Sequence, residues 1–329
     1  MSTAALDPLA VATGRSHARA VDRKQRRALA GSVAEAQDGV ISRAQLAELG
    51  ISRHHVRREA ERGAWRLHGR RTVAVHTGAL SAPALRWRAV WEIGARIAAI
   101  DGVTALQHAG LLGFEDSAVH VSAVHNHNTE PVPGARVHKV IRRVGGEVLP
   151  AGLPRTRPEV AAVRAAHWAV SDRQAALVLL MVVQQRLTTP ARLAGAQRAV
   201  RGRTRRAFIR AVVRDIAFGV QSLGELDFAE ECRRRGLPEP TRQAVRQASG
   251  GRIYLDVAWE DHGLVVEIDG VHHRLGLNVT FDNLRQNDVT LDGERVLRID
   301  VIGFRLESDR FMVQVARGLR CCSSATSAA

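Results

Sequence analysis

Two six-residue runs near the C-terminus, Tyr254-Leu-Asp-Val-Ala-Trp259 and Leu264-Val-Val-Glu-Ile-Asp269, both alternate apolar and polar residues, and only Glu260-Asp-His-Gly263 separates them. Period-two alternation is the mark of a strand with one dry and one wet face. So short a connection leaves antiparallel pairing as the natural arrangement. Symmetric closure puts Trp259 opposite Leu264, Val257 opposite Val266 and Leu255 opposite Ile268, which makes one clean apolar face. On the other face Asp256 lies opposite Glu267, with Asp269 two residues further on. Directly opposed side chains have Cβ atoms roughly 5 Å apart, and like charges there destabilise the pair. A compensating cation is expected, and a divalent metal is the simplest one.

Charge divides the chain sharply. Residues 221–320 hold 17 Asp/Glu against 14 Arg, whereas the rest holds 16 acids against 34 bases and accounts for the net charge of +15. A polyanion, nucleic acid above all, would therefore be gathered by the front two-thirds. Only Lys24 and Lys139 are lysine. A biased genome explains arginine in place of lysine but not the excess of bases over acids. With 329 residues, two or three domains are expected. The start lacks an apolar signal core, and the longest apolar run, Ala175–Val183, is too short to span a bilayer. Cys232, Cys321 and Cys322 have neither metal nor disulfide spacing. These features predict a cytoplasmic chain with no membrane partner.

Residues 1–30 read as a mobile basic tail around Arg23-Lys-Gln-Arg-Arg27. Residues 32–77 read as a winged helix-turn-helix. Ser42-x-x-Gln45 is a capping box for a helix ending near Gly50, and Ser52 caps a second helix ending at Gly63. Val56 and Ala60 face inward and leave Arg53, His54, Arg57 and Arg58 outside. Trp65-Arg-Leu67 and Thr72–His76 then form a hairpin whose turn carries Arg70 and Arg71. In such a unit the second helix enters the major groove and the hairpin lies near phosphates, so these six residues are the DNA-binding candidates.

Residues 80–219 read as a mixed α/β linker domain: helices over 85–100 and 103–112, strands over 119–124 and 135–142, a Pro/Gly-rich joint over 150–158, and helices over 158–169, 172–186 and 190–219. Arg201-Gly-Arg-Thr-Arg-Arg206 reads as a solvated helix end or a phosphate contact. His120, His125, His127 and His138 have no cysteine nearby and fit no common zinc spacing, so they are taken as strand or surface histidines.

Residues 221–320 read as a small α/β domain with a mixed sheet in the order α-β-β-α-β-α. The first helix runs from Ser222 to Arg235, helices follow over 281–291 and 308–319, and a strand over 296–301 lies between them. Phosphodiester hydrolysis requires a metal on hard oxygen ligands beside an activated water. Asp256 and Glu267 are the ligand pair. Asp269 and His273 could orient or activate water, Glu225 could be an outer carboxylate or a helix cap, and Arg285 could steady a phosphate.

Ser222-x-x-Glu225, Leu255-Asp-Val-Ala-Trp259, Val266-Glu-Ile-Asp-Gly270-x-x-His273, Asp282-x-x-Arg285 and Arg295-Val-Leu-Arg298 together resemble an uncharacterised group related to very-short-patch-repair (Vsr) endonucleases, within the PD-(D/E)xK nuclease-like superfamily. The resemblance implies a restriction-endonuclease-like core with Mg²⁺ or Mn²⁺ on Asp256 and Glu267 and with Glu225 as the helix acid. Asp269 stands where that superfamily usually has its catalytic lysine, and residues 221–320 contain no lysine. His273 or Arg285 would then have to substitute. The segment from Gly39 to His76 resembles the winged-helix domain of AbiEi-type antitoxins of type IV toxin–antitoxin systems, which implies DNA binding and a cognate toxin. Two functions follow as expectations. One is a DNA-binding, Mg-dependent endonuclease in phage defence or DNA repair. The other is a non-enzymatic regulator or antitoxin with an inert nuclease-like domain.

Overall fold

The structure, a computed structural model, describes residues 22–125, 128–149, 151–218, 228–247, 253–269, 280, 281, 283, 284, 287 and 296–320; for residues 229, 242–247, 253–256 and 269 it describes the backbone alone. It is a mixed α/β fold with three small sheets. The chain divides into two compact units, Met1–Ala84 and Leu85–Ala329.

The front unit opens with α1 (Arg23–Glu35), started by a reciprocal cap in which the Asp22 carboxylate accepts from Gln25 N–H at 2.7 Å and Gln25 Oε1 accepts from Asp22 N–H at 3.1 Å. Residues 23–30, expected in a mobile tail, are therefore helix, and its cap Asp22 lies one residue before the basic cluster. After β1 (Val40–Ser42) come α2 (Arg43–Glu48) and α3 (Arg53–Glu61). Ser42 and Ser52 are their N-caps, and the box between Ser42 and Gln45 is present. Gly63 ends α3 in the left-handed region at φ 66°, where a side chain would be strained. Strands β2 (Arg66–Leu67) and β3 (Thr72–Ala74) complete an antiparallel sheet in the order β1-β3-β2. Ile41, Leu46, Ile51, Val56, Trp65 and Val73 form its core with Ala30 and Ala34 of α1.

In the second unit α4 (Ala82–Ile93) is followed by β4 (Ala98–Ile100), α5 (Gly102–His108), β5 (Val119–Val124), β6 (Ala135–Val140), β7 (Val148–Leu149) and β8 (Arg155–Thr156). The sheet order is β6-β5-β4-β8-β7. The helix expected over 85–100 stops at Ile93, because Gly94 takes φ 131° and the Ala98–Ile100 segment pairs with β5 and β8. Tertiary pairing overrides the helix preference of an alanine-rich run. Helices α6 (Pro158–Trp168), α7 (Asp172–Gln184), α8 (Pro190–Ala199) and α9 (Arg206–Phe218) follow. The single helix expected from 190 to 219 is thus two. The break falls at Val200–Arg205, where Arg205 has φ 56° and is held by the Asp172 carboxylate and the Ala169 carbonyl, both at 2.7 Å.

The remaining elements are α10 (Phe228–Arg234), β9 (Arg242–Gln247), β10 (Ile253–Trp259), β11 (Leu264–Asp269), β12 (Val296–Asp300) and α11 (Val301–Arg320). They build a mixed sheet in the order β12-β11-β10-β9, parallel only between β11 and β12. The β10–β11 register is the one derived from the sequence, Trp259 opposite Leu264 through Asp256 opposite Glu267. A 3-10 turn, Glu260–His262, and Gly263 at φ 55° close the hairpin. The Trp259 indole is buried and donates to the Pro238 carbonyl at 2.8 Å. Strand β9 was not expected: Arg-Gln-Ala-Val-Arg-Gln has no clear alternation. The last helix starts at Val301 rather than Ser308, because Asp300 accepts from Gly303 N–H at 2.6 Å as its cap. A kink at Glu307 precedes the expected start.

Two apolar cores lie within the second unit. One gathers α4 to α9 and their sheet; the other gathers Phe228, Trp259, Leu264, Val266, Phe304, Phe311 and Val315. Helix α11 serves both. Ile302 and Leu306 pack into the first core, and Phe304, Phe311, Met312, Val315 and Leu319 into the second. Arg305 adds an ion pair to buried Asp215 of α9. The linker and nuclease-like regions, expected as separate domains at 80–219 and 221–320, therefore fall within one compact unit. No helix among the described residues is long and apolar enough to cross a membrane.

Candidate functional site

The front unit presents a basic face. Arg53, His54, Arg57 and Arg58 of α3 are exposed, as are Arg70 and Arg71 in the hairpin turn. The direction of α3 is fixed from its first residue: Ser52 Oγ accepts from His55 N–H, and His55 Nδ1 accepts from Ser52 N–H at 3.3 Å. Partial burial, together with the Arg26, His54 and Arg58 charges, holds the His55 ring below its usual pKa. A neutral ring is what an acceptor at this cap requires. Arg57 pairs with Glu61 at 3.3 Å, an exposed i,i+4 contact worth only a few tenths of a kcal/mol.

The opposite side of α3 carries Glu59, whose buried carboxylate meets Arg23 at 2.9 Å, Arg27 at 3.2 Å and Arg62 at 3.6 Å. Two arginines of the N-terminal basic cluster, expected in a mobile tail, thus hold α1 to α3. This role was hidden because Arg23 and Glu59 lie 36 residues apart.

In the C-terminal sheet the backbone sets Asp256 opposite Glu267 and Tyr254 opposite Asp269. Parallel pairing then brings Arg298 of β12 beside Glu267, with Arg298 Nε 3.4 Å from Glu267 Oε2. The compensating charge expected from a metal is thus supplied in part by an arginine. The hairpin sequence does not foretell this place for Arg298, because the neighbour of β11 on its far side is remote in the chain. Glu225, His273 and Arg285 lie outside the described residues, and the side chains of Asp256 and Asp269 are likewise not described. Among the described residues no group of three His, Cys, Asp or Glu stands close enough to hold a metal ion. Carboxylates are hard donors that suit Mg²⁺ or Mn²⁺. The pair to Arg298 engages Oε2 of Glu267, and a carboxylate carries a second oxygen that can serve a cation.

The middle sheet brings His120 and His138 together. His120 Nδ1 lies 2.9 Å from His138 Nε2, and His120 Nε2 lies 3.0 Å from the Asp116 carboxylate. His138 stacks on Trp168 at 3.6 Å between ring centroids. Burial, with the His120 and Arg136 charges, lowers His138 to about 4. A buried charge cluster joins α6 to two connecting segments, at Asp101 before α5 and at Arg143–Glu147 before β7. Arg164 donates to Asp101 at 2.7 Å and to both Glu147 oxygens at 2.9 and 2.8 Å, and Arg143 donates to Glu147 at 2.9 Å.

No family model matches this chain, and no curated protein matches it. Among solved structures, the crystal structure of the RV2827C protein from Mycobacterium tuberculosis is similar with a TM-score of 0.36 and 17% identity, over 57% of this chain and 79% of that one. A likeness at that level carries no argument about function.

Proposed function

We propose that the chain binds DNA through its front unit and carries, on its C-terminal sheet, a metal-dependent endonuclease-like site for phosphodiester hydrolysis, in phage defence or DNA repair. The observation that carries this reading is the exposed face of Arg53, His54, Arg57 and Arg58 on the second helix of a helix–turn–helix–hairpin unit, with Arg70 and Arg71 at the hairpin turn. That arrangement suits a winged helix with its second helix in the major groove. Asp256 opposite Glu267 supports the hydrolytic half. These two residues would hold Mg²⁺ or Mn²⁺, which when bound supplies charge neutralisation and a water of lowered pKa. Arg298 fixes the Glu267 carboxylate from the neighbouring strand. Asp269, His273, Glu225 and Arg285 remain the candidates for water activation and phosphate contact. The experiment is cleavage of plasmid and oligonucleotide DNA with Mg²⁺ or Mn²⁺, abolished in Asp256→Ala and Glu267→Ala. Absence of cleavage with either metal on duplex, nicked, mismatched and single-stranded substrates would sink the hydrolytic half.

A second reading is favoured by the Glu267–Arg298 pair and by the lack of lysine in residues 221–320. In it the sheet is inert and the protein is a regulator or antitoxin with a cognate toxin. Sequence-specific duplex binding that is unchanged in Glu267→Ala, without cleavage, is its signature.

A further inference from the structure

Helices α8 and α9 border an open groove of about 400 Å³ whose charged lining is entirely cationic. Arg198 comes from α8, and Arg206, Arg210 and Arg214 come from α9. The α9 spacing of four residues places three guanidinium groups in one row, each about 6 Å from the next along the helix. That is close to the separation of neighbouring phosphates on one nucleic-acid strand. The row cannot turn away, because Ile209, Val212 and Ile216 bury a neighbouring face of α9 in the core. Asp215, the one acid of α9, is also turned inward, onto Arg305. Two nearby arginines outside the groove are engaged elsewhere: Arg192 pairs with Glu159 and Arg205 with Asp172. Arg198, Arg206 and Arg210 are exposed and, among the described residues, pair with no carboxylate. Like charges one helical turn apart repel, so Arg206 and Arg210 destabilise the free helix and gain from a bound anion. At the end of the row Phe218 also lines the groove and is 61% exposed, a large apolar face that the fold leaves in water.

We infer that this groove binds a single nucleic-acid strand, with Arg198, Arg206 and Arg210 on successive phosphates and a base stacked on Phe218. The site is separate from the duplex contact assigned to the front unit and does not depend on that assignment. A basic track with an aromatic platform is the general recipe for strand binding. Arg206 and Arg210 stand about 6 Å apart along α9, wider than one phosphate group, which argues against a lone anion. A duplex keeps its bases stacked inside and has none to offer Phe218.

The test uses the full chain and fluorescence anisotropy with a twelve-nucleotide thymidine strand, the matching uridine strand and a blunt DNA duplex. In Arg206→Gln/Arg210→Gln the affinity for both strands falls at least tenfold. The slope of log K against log salt becomes shallower by about 1.4, at roughly 0.7 per phosphate contact on a single strand. Phe218→Ala weakens strand binding by roughly fivefold or more. Duplex affinity changes less than twofold in these variants, and the melting temperature holds because the side chains are exposed. Strand affinity and slope unchanged in the double variant would overturn the inference, as would an equal loss on duplex and strand. Arg53→Ala/Arg57→Ala separates the two sites: it weakens the duplex complex and leaves the strand complex as it was.

Discussion

Replacing Arg164 with methionine tests the buried charge cluster directly. Arg164 is 5% exposed at its side chain, Asp101 0% and Glu147 1%. The substitution keeps most of the side-chain volume but removes three charge-assisted hydrogen bonds of 2.7, 2.9 and 2.8 Å. The two carboxylates keep backbone N–H donors from Gly102 and Val144, but the cation left among the described bonds is Arg143, which reaches Glu147 and not Asp101. Removing one partner of a buried ion pair costs about 3–5 kcal/mol, because the remaining charge stays desolvated. For a unit of this size each kcal/mol lowers the melting temperature by roughly 2–4 °C, so the expected drop is about 6–20 °C. Thermal melts followed by circular dichroism, with urea midpoints as a second measure, read it out. The penalty should shrink as pH falls, since an unpaired buried carboxylate can take up a proton. The triple variant Asp101→Asn/Glu147→Gln/Arg164→Met should recover more than half of the loss, because neutral groups are cheaper to bury than unpaired charges. A drop of less than about 6 °C for Arg164→Met, the low end of that range, would refute the reasoning.

Duplex binding by the front unit should be steeply salt dependent. If Arg53, Arg57, Arg58, Arg70 and Arg71 all meet phosphates, the slope of log K against log salt is near −4.5, and each alanine substitution removes about 0.9. Titrations between low and physiological salt measure it; a slope near −1 would sink that face as the contact. Acid should destabilise the second unit. His138 is lowered to about 4, first by burial, whereas an unfolded histidine titrates near 6.5. Between those values the unfolded chain binds the extra proton, so stability falls as pH drops through that window and flattens below it. His138→Phe, which keeps the stack on Trp168, should reduce this slope in melts from pH 7 to pH 4. Ser42→Ala removes the cap of α2 and should cost about 1 kcal/mol in urea titrations. Gly39→Ala should cost more, because Gly39 sits at φ 81° and an added Cβ would come within 2.7 Å of the His76 ring.

What could be read from the sequence was what local periodicity and chemistry determine. The β10–β11 register followed from two alternating runs and a four-residue link, and the Ser42 and Ser52 caps followed from side-chain chemistry within one turn. What could not be read depends on neighbours remote in sequence. Ala98–Ile100 has no strand signature of its own and becomes a strand because β5 and β8 flank it. The same holds at the candidate metal site. The opposed carboxylates were visible, but Arg298 reaches Glu267 only through a parallel pairing 31 residues away. His120 and His138 were read as separate strand histidines, and their contact arises from the pairing of β5 with β6.

The sharing of α11 between two cores bears on how this chain can be dissected. A fragment ending before residue 301 would uncover the seat of Ile302 and Leu306 in one core and that of Phe304, Phe311 and Val315 in the other. Neither half then keeps a closed interior, so the C-terminal sheet cannot be excised at 220 as an autonomous module without cutting the Arg305–Asp215 tie and half the seat of its own last helix. Calorimetry of the intact chain should accordingly show residues 85–320 melting in a single cooperative transition.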